Sequence, residues 1–163
     1  MRIIAGTHRG KKLVEYYNPT IRPTTDRVKE NVFNLLTNYL ELPGARVLDL
    51  FAGTGAYGIE CLSRGAKFVH FNDLDLAAIK VIKQNLGAIW ANYQITQKDY
   101  LCTLDGNYDL IFLDPPYASD FGERAINHIN HGLIVFETDR EFIHSAIIDS
   151  RRYGRTYVYI LKK

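Results

Sequence analysis

Two short segments hold the residue types from which chemistry could be built. The first is LDLFAGTGAYGIE, residues 48–60, where Gly53, Gly55 and Gly58 form a G-x-G-x-x-G pattern. The second is DLIFLDPPYASD, residues 109–120, in which an apolar run stops on Asp114, Pro115, Pro116 and Tyr117. A glycine loop between a strand and a helix lets a ligand approach the backbone at the helix N-terminus. Asp73 follows Gly53 by 20 residues, at the spacing of an acid that accepts from ribose hydroxyls. Dinucleotide sites share this pattern, but Asp49, four residues before Gly53, would repel a pyrophosphate. It would suit a cationic amino-acid end. S-adenosylmethionine has such an end, a ribose for Asp73 and no phosphates. Asp99, after the third expected strand, could accept from an adenine amino group, with Ile95 or Tyr100 flanking the ring.

The DPPY segment points to a second substrate. Proline cannot donate to a sheet ladder, so the strand ends there and its carbonyls stay free as acceptors. Asp114 and the Pro115 carbonyl could accept both hydrogens of an exocyclic base amine, Pro116 would stiffen the turn, and Tyr117 could stack on the base. An aromatic amine is a poor nucleophile because its lone pair is delocalised into the ring. Two acceptors out of the ring plane favour a pyramidal nitrogen whose lone pair points at an electrophile. With a sulfonium as leaving group, the remaining demands are alignment and stabilisation of positive charge growing on nitrogen.

The pattern around these segments predicts the elements that position them. From residue 45 onward, apolar strand runs alternate with helical periodicity: ARVLDLF, GAYGIECLSRG, KFVHFND, LAAIKVIKQNLGAIW, YQITQKD, YDLIFLD, DFGERAINHIN and GLIVFET. RRYGRTYVYILKK reads as a final strand on an antiparallel edge. The fold class is therefore α/β: a Rossmann-like, doubly wound, mostly parallel sheet of about seven strands with an antiparallel edge strand. A short N-terminal β-hairpin, RIIAG with KKLVEYY, and a helix over residues 25–40 precede it. Thr24 or Thr25 would cap that helix, and Asp75 would cap a later one.

Composition narrows the class. The chain has 163 residues with net charge +2, and its longest apolar runs, such as Leu133–Phe136, are far too short to span a membrane. Residues 1–30 hold seven basic and three acidic residues, a net +4 that leaves −2 for the rest, which fits a polyanion footprint. The N-terminus lacks an apolar signal core, and Cys61 and Cys102 form no framework, so a cytoplasmic protein with reduced thiols is expected. His128 and His131 have H-x-x-H spacing without an evident third ligand, and no metal is assigned. Trp90 and Tyr93 read as core or rim packing.

VLDLFAGTGAYGIE followed by DPPY resembles class I S-adenosylmethionine-dependent amino-methyltransferases. MRIIAGTHRGKKL, RPTTDRVKENVFNLL and RRYGRTYVYIL narrow the resemblance to the RsmD-type family, bacterial small-subunit (16S) ribosomal RNA guanine-N2 methyltransferases. The resemblance covers nearly the whole chain. It implies S-adenosyl-L-methionine as cofactor, held by Asp49, Phe51, Gly53, Gly55, Asp73 and Leu74, with Asp99 and Tyr100 near the adenine. It implies catalysis by Asp114, Pro115, Pro116 and Tyr117. It also implies that Arg2, Arg9, Lys11, Lys12, Arg22 and Arg27 meet ribosomal RNA, within a partly assembled small subunit or free of one. Residues 1–40 would form a basic extension that covers cofactor and RNA without folding independently, and residues 41–163 the methyltransferase domain; a monomer is expected. Two departures stand out. Asp73 replaces the family's frequent Glu, and the chain is short after Tyr117 and between Thr138 and Arg151, where the target loop would be gripped. DPPY also serves DNA adenine-N6, cytosine-N4 and other RNA amino-methyltransferases, but the chain has no spare length for a DNA target-recognition region. A glutamine-N5 methyltransferase would usually begin this turn with Asn, and a nicotinamide oxidoreductase would have no use for Asp49 or DPPY.

Overall fold

The computed structural model describes residues 1–15 and 25–163. Arg22, expected to meet RNA, lies outside them. The strands are β1 (Arg46–Asp49), β2 (Phe68–Asn72), β3 (Tyr93–Thr96), β4 (Leu110–Leu113), β5 (Leu133–Thr138), β6 (Ile147–Tyr153) and β7 (Thr156–Lys162). They form one sheet in the order β3-β2-β1-β4-β5-β7-β6. β1 to β5 run parallel to one another, and β7 pairs antiparallel with both β5 and β6. The helices are α1 (Asp26–Leu36), α2 (Ala56–Ser63), α3 (Leu76–Leu86) and α4 (Phe121–His128), with a 3₁₀ turn over Tyr100–Thr103.

Alternation along the strands divides the interior into two cores. Val47, Val69, Phe71, Phe112 and Val135 pack with residues of α1, α2, α3 and the N-terminal hairpin. Leu48, Ile111, Leu113, Ile134 and Phe136 pack on the other face with Ala125 and Ile126 of α4 and with Tyr100. β1 lies between β2 and β4, so the chain leaves it to one side and later returns on the other. The crevice where such sheets bind ligands therefore opens beyond the carboxyl ends of β1 and β4.

Several elements differ from the sequence reading. α3 stops at Leu86, short of Trp90. α1 ends at Leu36, because the chain tightens into turns in which Tyr39 and Leu40 both donate to the Leu36 carbonyl. RRYGRTYVYILKK spans two strands, the end of β6 and all of β7, around a turn at Gly154. β7 sits inside the sheet and β6 forms the edge. β6 was missed because its half-exposed IIDSRRY carries four polar residues and a register shift between Ile147 and Asp149. Thr25 caps α1, accepting from Val28 N at 3.3 Å, and Asp75 caps α3, accepting from Ala77 N at 2.8 Å.

The N-terminal hairpin is a single antiparallel bridge, Arg2 to Lys12, flanked by backbone bonds such as Ile3 N to Lys11 O at 2.9 Å. Its anchor is Glu60 of α2, which is fully buried. The Glu60 carboxylate accepts from Ile4 N at 2.8 Å and Ala5 N at 2.9 Å, and it pairs with Lys29 Nζ at 3.2 Å and Arg64 Nε at 2.8 Å. Lys29 Nζ also donates to the Arg2 carbonyl at 2.6 Å. Lys29 is thus an interior cation and adds nothing to the basic face counted from the sequence. Asn85 of α3 secures the far end: it accepts from Val14 N at 2.7 Å and donates to the Val14 carbonyl at 3.1 Å. Its amide also donates to Thr54 O in the glycine loop at 3.0 Å.

Candidate active site

The glycine loop leaves β1 and enters α2. Gly55, the α2 N-cap, has φ +77°, in the left-handed region that favours glycine. Gly58 is required for a different reason: a Cβ there would come within 2.3 Å of the Phe71 ring. Asp49 accepts from Gly58 N at 2.9 Å and Asp73 accepts from Gly53 N at 2.8 Å, so the two acids brace opposite ends of the loop. Asp73 also accepts from Asp75 N at 2.9 Å. Asn72 donates to the Leu50 and Lys98 carbonyls at 3.3 and 3.1 Å. It thereby ties the ends of β1 and β3 together and sets the spacing between Phe51, Asp73 and Asp99.

The electrostatics of this end are acidic. Asp49 is only 3% exposed, and burial pushes its carboxyl up to about 8, with Asp114 and Asp73 adding to the rise and the Gly58 N–H opposing it. Burial also raises Asp73, against the backbone bonds from Asp75 and Gly53. These carboxyls and backbone donors fit a ligand bearing an ammonium, a sulfonium and a diol better than a pyrophosphate. That is the donor chemistry S-adenosylmethionine requires. Leu74, 68% exposed beside Asp73, offers apolar surface at the same rim. Asp99 is exposed and takes Leu101 N at 2.9 Å. The Tyr100 ring is buried between Phe51 and Phe121, with both centroid distances 5.3 Å, so this residue supports the rim from beneath.

The DPPY turn follows β4 on the other side of β1. Asp114 lies two residues beyond Phe112, on the face shared by Asp49, and its charge acts on Asp49, Tyr57 and Glu137. Beyond it, Ser119 N and Oγ bond the Pro116 carbonyl at 3.3 and 2.6 Å, and Arg140 donates to Ser119 O at 2.9 Å. Ala118 sits at φ +61°, a conformation costly for a residue with a Cβ, which marks this exit as held in place by its surroundings. Tyr117 and Glu137 line a cleft of about 400 Å³, together with Thr25, Arg27, Arg152 and Thr156 among others.

The expected RNA contacts separate into groups. Arg27 lines the cleft. Arg2 is exposed and pairs with Asp26 at 3.7 Å. Lys11 Nζ donates to the Asn85 carbonyl at 3.2 Å, and Lys12 is exposed on the hairpin. Arg9, also exposed, lies on the hairpin turn that packs against Ser63 at the far end of α2, about 12 Å along the helix from the glycine loop. Trp90, expected to pack, is 98% exposed.

Three residues of this region escaped sequence reasoning. Tyr57 stacks on Phe112 with centroids 4.6 Å apart, and its hydroxyl donates to Glu137. Glu60 looked like an ordinary helical acid. The signal for Glu137 was present: an acid near the end of the apolar run LIVFET, one residue beyond the Leu113–Phe136 pair and so level with Asp114 after β4.

A sheet of this order, with a glycine loop after β1 and an acid–proline turn after β4, is a Rossmann-like class I methyltransferase fold. A family model described as Conserved hypothetical protein 95 matches residues 1–162. YlbH of Bacillus subtilis (strain 168) is 36% identical over 184 residues, covering 100% of this chain and 99% of its own. The Haemophilus influenzae protein named Ribosomal RNA small subunit methyltransferase D is 36% identical over 156 residues, covering 86% of this chain and 80% of its own. The solved structure of yhhF from Escherichia coli has a TM-score of 0.85 at 27% sequence identity, covering 100% of this chain and 97% of that one. The chain belongs to this family, the RsmD-type methyltransferases. No helix among the described residues is long and apolar enough to cross a membrane.

Proposed function

We propose that the protein transfers a methyl group from S-adenosylmethionine to the exocyclic N2 amine of a guanine in small-subunit ribosomal RNA. The observation that carries this reading is the acid–proline turn after β4, set beside the braced glycine loop and opening on a cleft of about 400 Å³. The relative named for small-subunit ribosomal RNA supports the choice of polymer. When bound, the cofactor supplies a methyl group on a sulfonium that departs as a neutral thioether. Asp49 and the backbone of Gly53 and Gly55 hold its amino-acid end, Asp73 its ribose diol, and Phe51, Leu74, Asp99 and Tyr100 its adenine side. Asp114 and the Pro115 carbonyl accept the two amine hydrogens, Pro116 fixes the turn, and Tyr117 stacks on the base. The N–CH₃ bond forms as the S–CH₃ bond breaks; Asp114 stabilises the positive charge developing on nitrogen, and one amine proton leaves to Asp114 or to solvent. A paired guanine hides its N2, so the base must be unpaired or flipped out. Arg2, Arg9, Lys11, Lys12, Arg22 and Arg27 contact phosphates and position the RNA without reading it. Residues 1–40 act as an extension over cofactor and RNA, and the enzyme works as a monomer.

The deciding experiment maps labelled methyl from S-adenosylmethionine onto ribosomal RNA from cells lacking this protein. A label on guanine N2 of the small-subunit RNA is expected; a label on adenine, on cytosine or on protein would overturn the assignment.

A further inference from the structure

Glu137, which lines the cleft beside the DPPY turn, is not used by the chemistry above. The side chain is 4% exposed on the α1 face of β5, two residues beyond Val135 of the same core. Its Oε1 is engaged by the Tyr57 hydroxyl, itself fixed by stacking on Phe112, the β4 residue two before Asp114. The clamp therefore places this carboxyl relative to the DPPY turn through one aromatic stack. The cleft contains Tyr117 from that turn, Arg27 and Thr25 at the start of α1, and Arg152 and Thr156 around the β6–β7 turn. Its volume, about 400 Å³, falls in the roughly 300–1,000 Å³ range of small-molecule sites.

Building on the amine-methylation reading, we propose that this cleft receives the flipped base and that Glu137 selects guanine by accepting its N1–H while Asp114 accepts from N2. The argument is the order of donors along the base edge. Guanine alone places a ring N–H next to the amine to be methylated; adenine N1 and cytosine N3, next to their amines, are acceptors. An acceptor fixed one position from Asp114 pairs with guanine and repels the other two lone pairs. Arg27 and Arg152 are the cationic groups among the described residues that line the cleft, where they can meet a phosphate entering with the base. Burial and the charges of Asp114 and Asp49 raise the Glu137 carboxyl, while the Tyr57 bond lowers it. When ionised, the Glu137 carboxyl accepts from the Tyr57 hydroxyl through Oε1 and keeps its outer oxygen as an acceptor for the base N1–H.

The test uses two short RNAs spanning the nucleotide mapped above, one with guanosine and one with 2,6-diaminopurine riboside. The latter keeps the 2-amine but has a bare N1. Wild-type enzyme should favour guanosine at least about 10-fold in kcat/KM, since a mismatched buried hydrogen bond costs about that factor or more. Glu137→Gln, which can turn its NH₂ toward N1, should move the ratio at least about 10-fold toward 2,6-diaminopurine. Tyr57→Phe should slow both RNAs yet retain the guanosine preference. Wild-type enzyme that uses both RNAs equally, or a Glu137→Gln ratio equal to wild type with a matching melting temperature, would overturn the role of Glu137. Should Glu137→Gln fail to fold, the wild-type ratio and the Tyr57→Phe ratio still decide. Wild-type enzyme inactive on the guanosine RNA would instead defeat the methyl-acceptor reading itself.

Discussion

Replacing Glu60 by alanine should unfasten the N-terminal hairpin and cost about 3–5 kcal/mol. Lys29 and Glu60 are both fully buried, so removing the carboxylate leaves an interior ammonium whose remaining described bond is to the Arg2 carbonyl at 2.6 Å. Breaking a buried pair from one side has that cost, about 3–5 kcal/mol, because the surviving charge stays desolvated. The N–H groups of Ile4 and Ala5 lose their acceptor as well, so the figure leans toward its upper end. For a chain of 163 residues each kcal/mol moves the melting temperature by roughly 2–4 °C, which predicts a fall of roughly 6–20 °C. The pH dependence provides an internal check. Desolvation already holds Lys29 below the ordinary lysine range, with Glu60 opposing the shift. In the variant the folded state binds fewer protons than the unfolded state up to the unfolded lysine value of about 10.4. Its deficit should therefore shrink as pH rises from 7 towards 10. Denaturant melts at three pH values, with hydrogen exchange at the Ile4 and Ala5 amides, would read both effects. A variant within 1 kcal/mol of wild type, with those amides still protected, would refute the reasoning.

Three further outcomes follow from the site. Asp49→Asn keeps an acceptor for Gly58 but removes a carboxyl that holds its proton to about pH 8 when folded and to about 4 when unfolded. Wild-type stability should fall by about 1.4 kcal/mol per pH unit across that window relative to the variant, which calorimetric affinity should show binding cofactor more weakly; parallel pH–stability curves would count against it. Asp114→Ala should abolish methyl transfer to RNA while equilibrium dialysis still detects cofactor binding; near-wild-type turnover would remove Asp114 from the chemistry. Arg9→Ala with Lys12→Ala should weaken RNA binding and flatten its salt dependence by up to two phosphate contacts, and an unchanged slope would make the hairpin a solvated surface.

The parallel strands and their helices were legible because each is a short apolar run or a 3.6-residue stripe bounded by glycine, proline or a cap. The glycine loop and DPPY turn were legible because their chemistry depends on residue type at fixed spacing. What stayed hidden depends on pairing across the chain. Lys29 reads as one more surface charge until Glu60, 31 residues away, is seen beside it in the core. β6 is half exposed and polar, so neither periodicity nor propensity reveals it. The clamp between Tyr57 and Glu137 spans 80 residues and joins α2 to β5. Trp90 breaks the rule that large aromatics pack, and nothing in its neighbourhood explains its exposure.

The Glu60 anchor also sets an order of events during synthesis. Ile4 and Ala5 are made before the carboxylate that receives their amides, which lies 56 and 55 residues downstream. At roughly 5–20 residues per second, the basic N-terminus waits roughly 3–11 s before its partner is even polymerised. Residues 1–15 can settle only after α2 has emerged, which makes this hairpin a late arrival in the fold although it is made earlier.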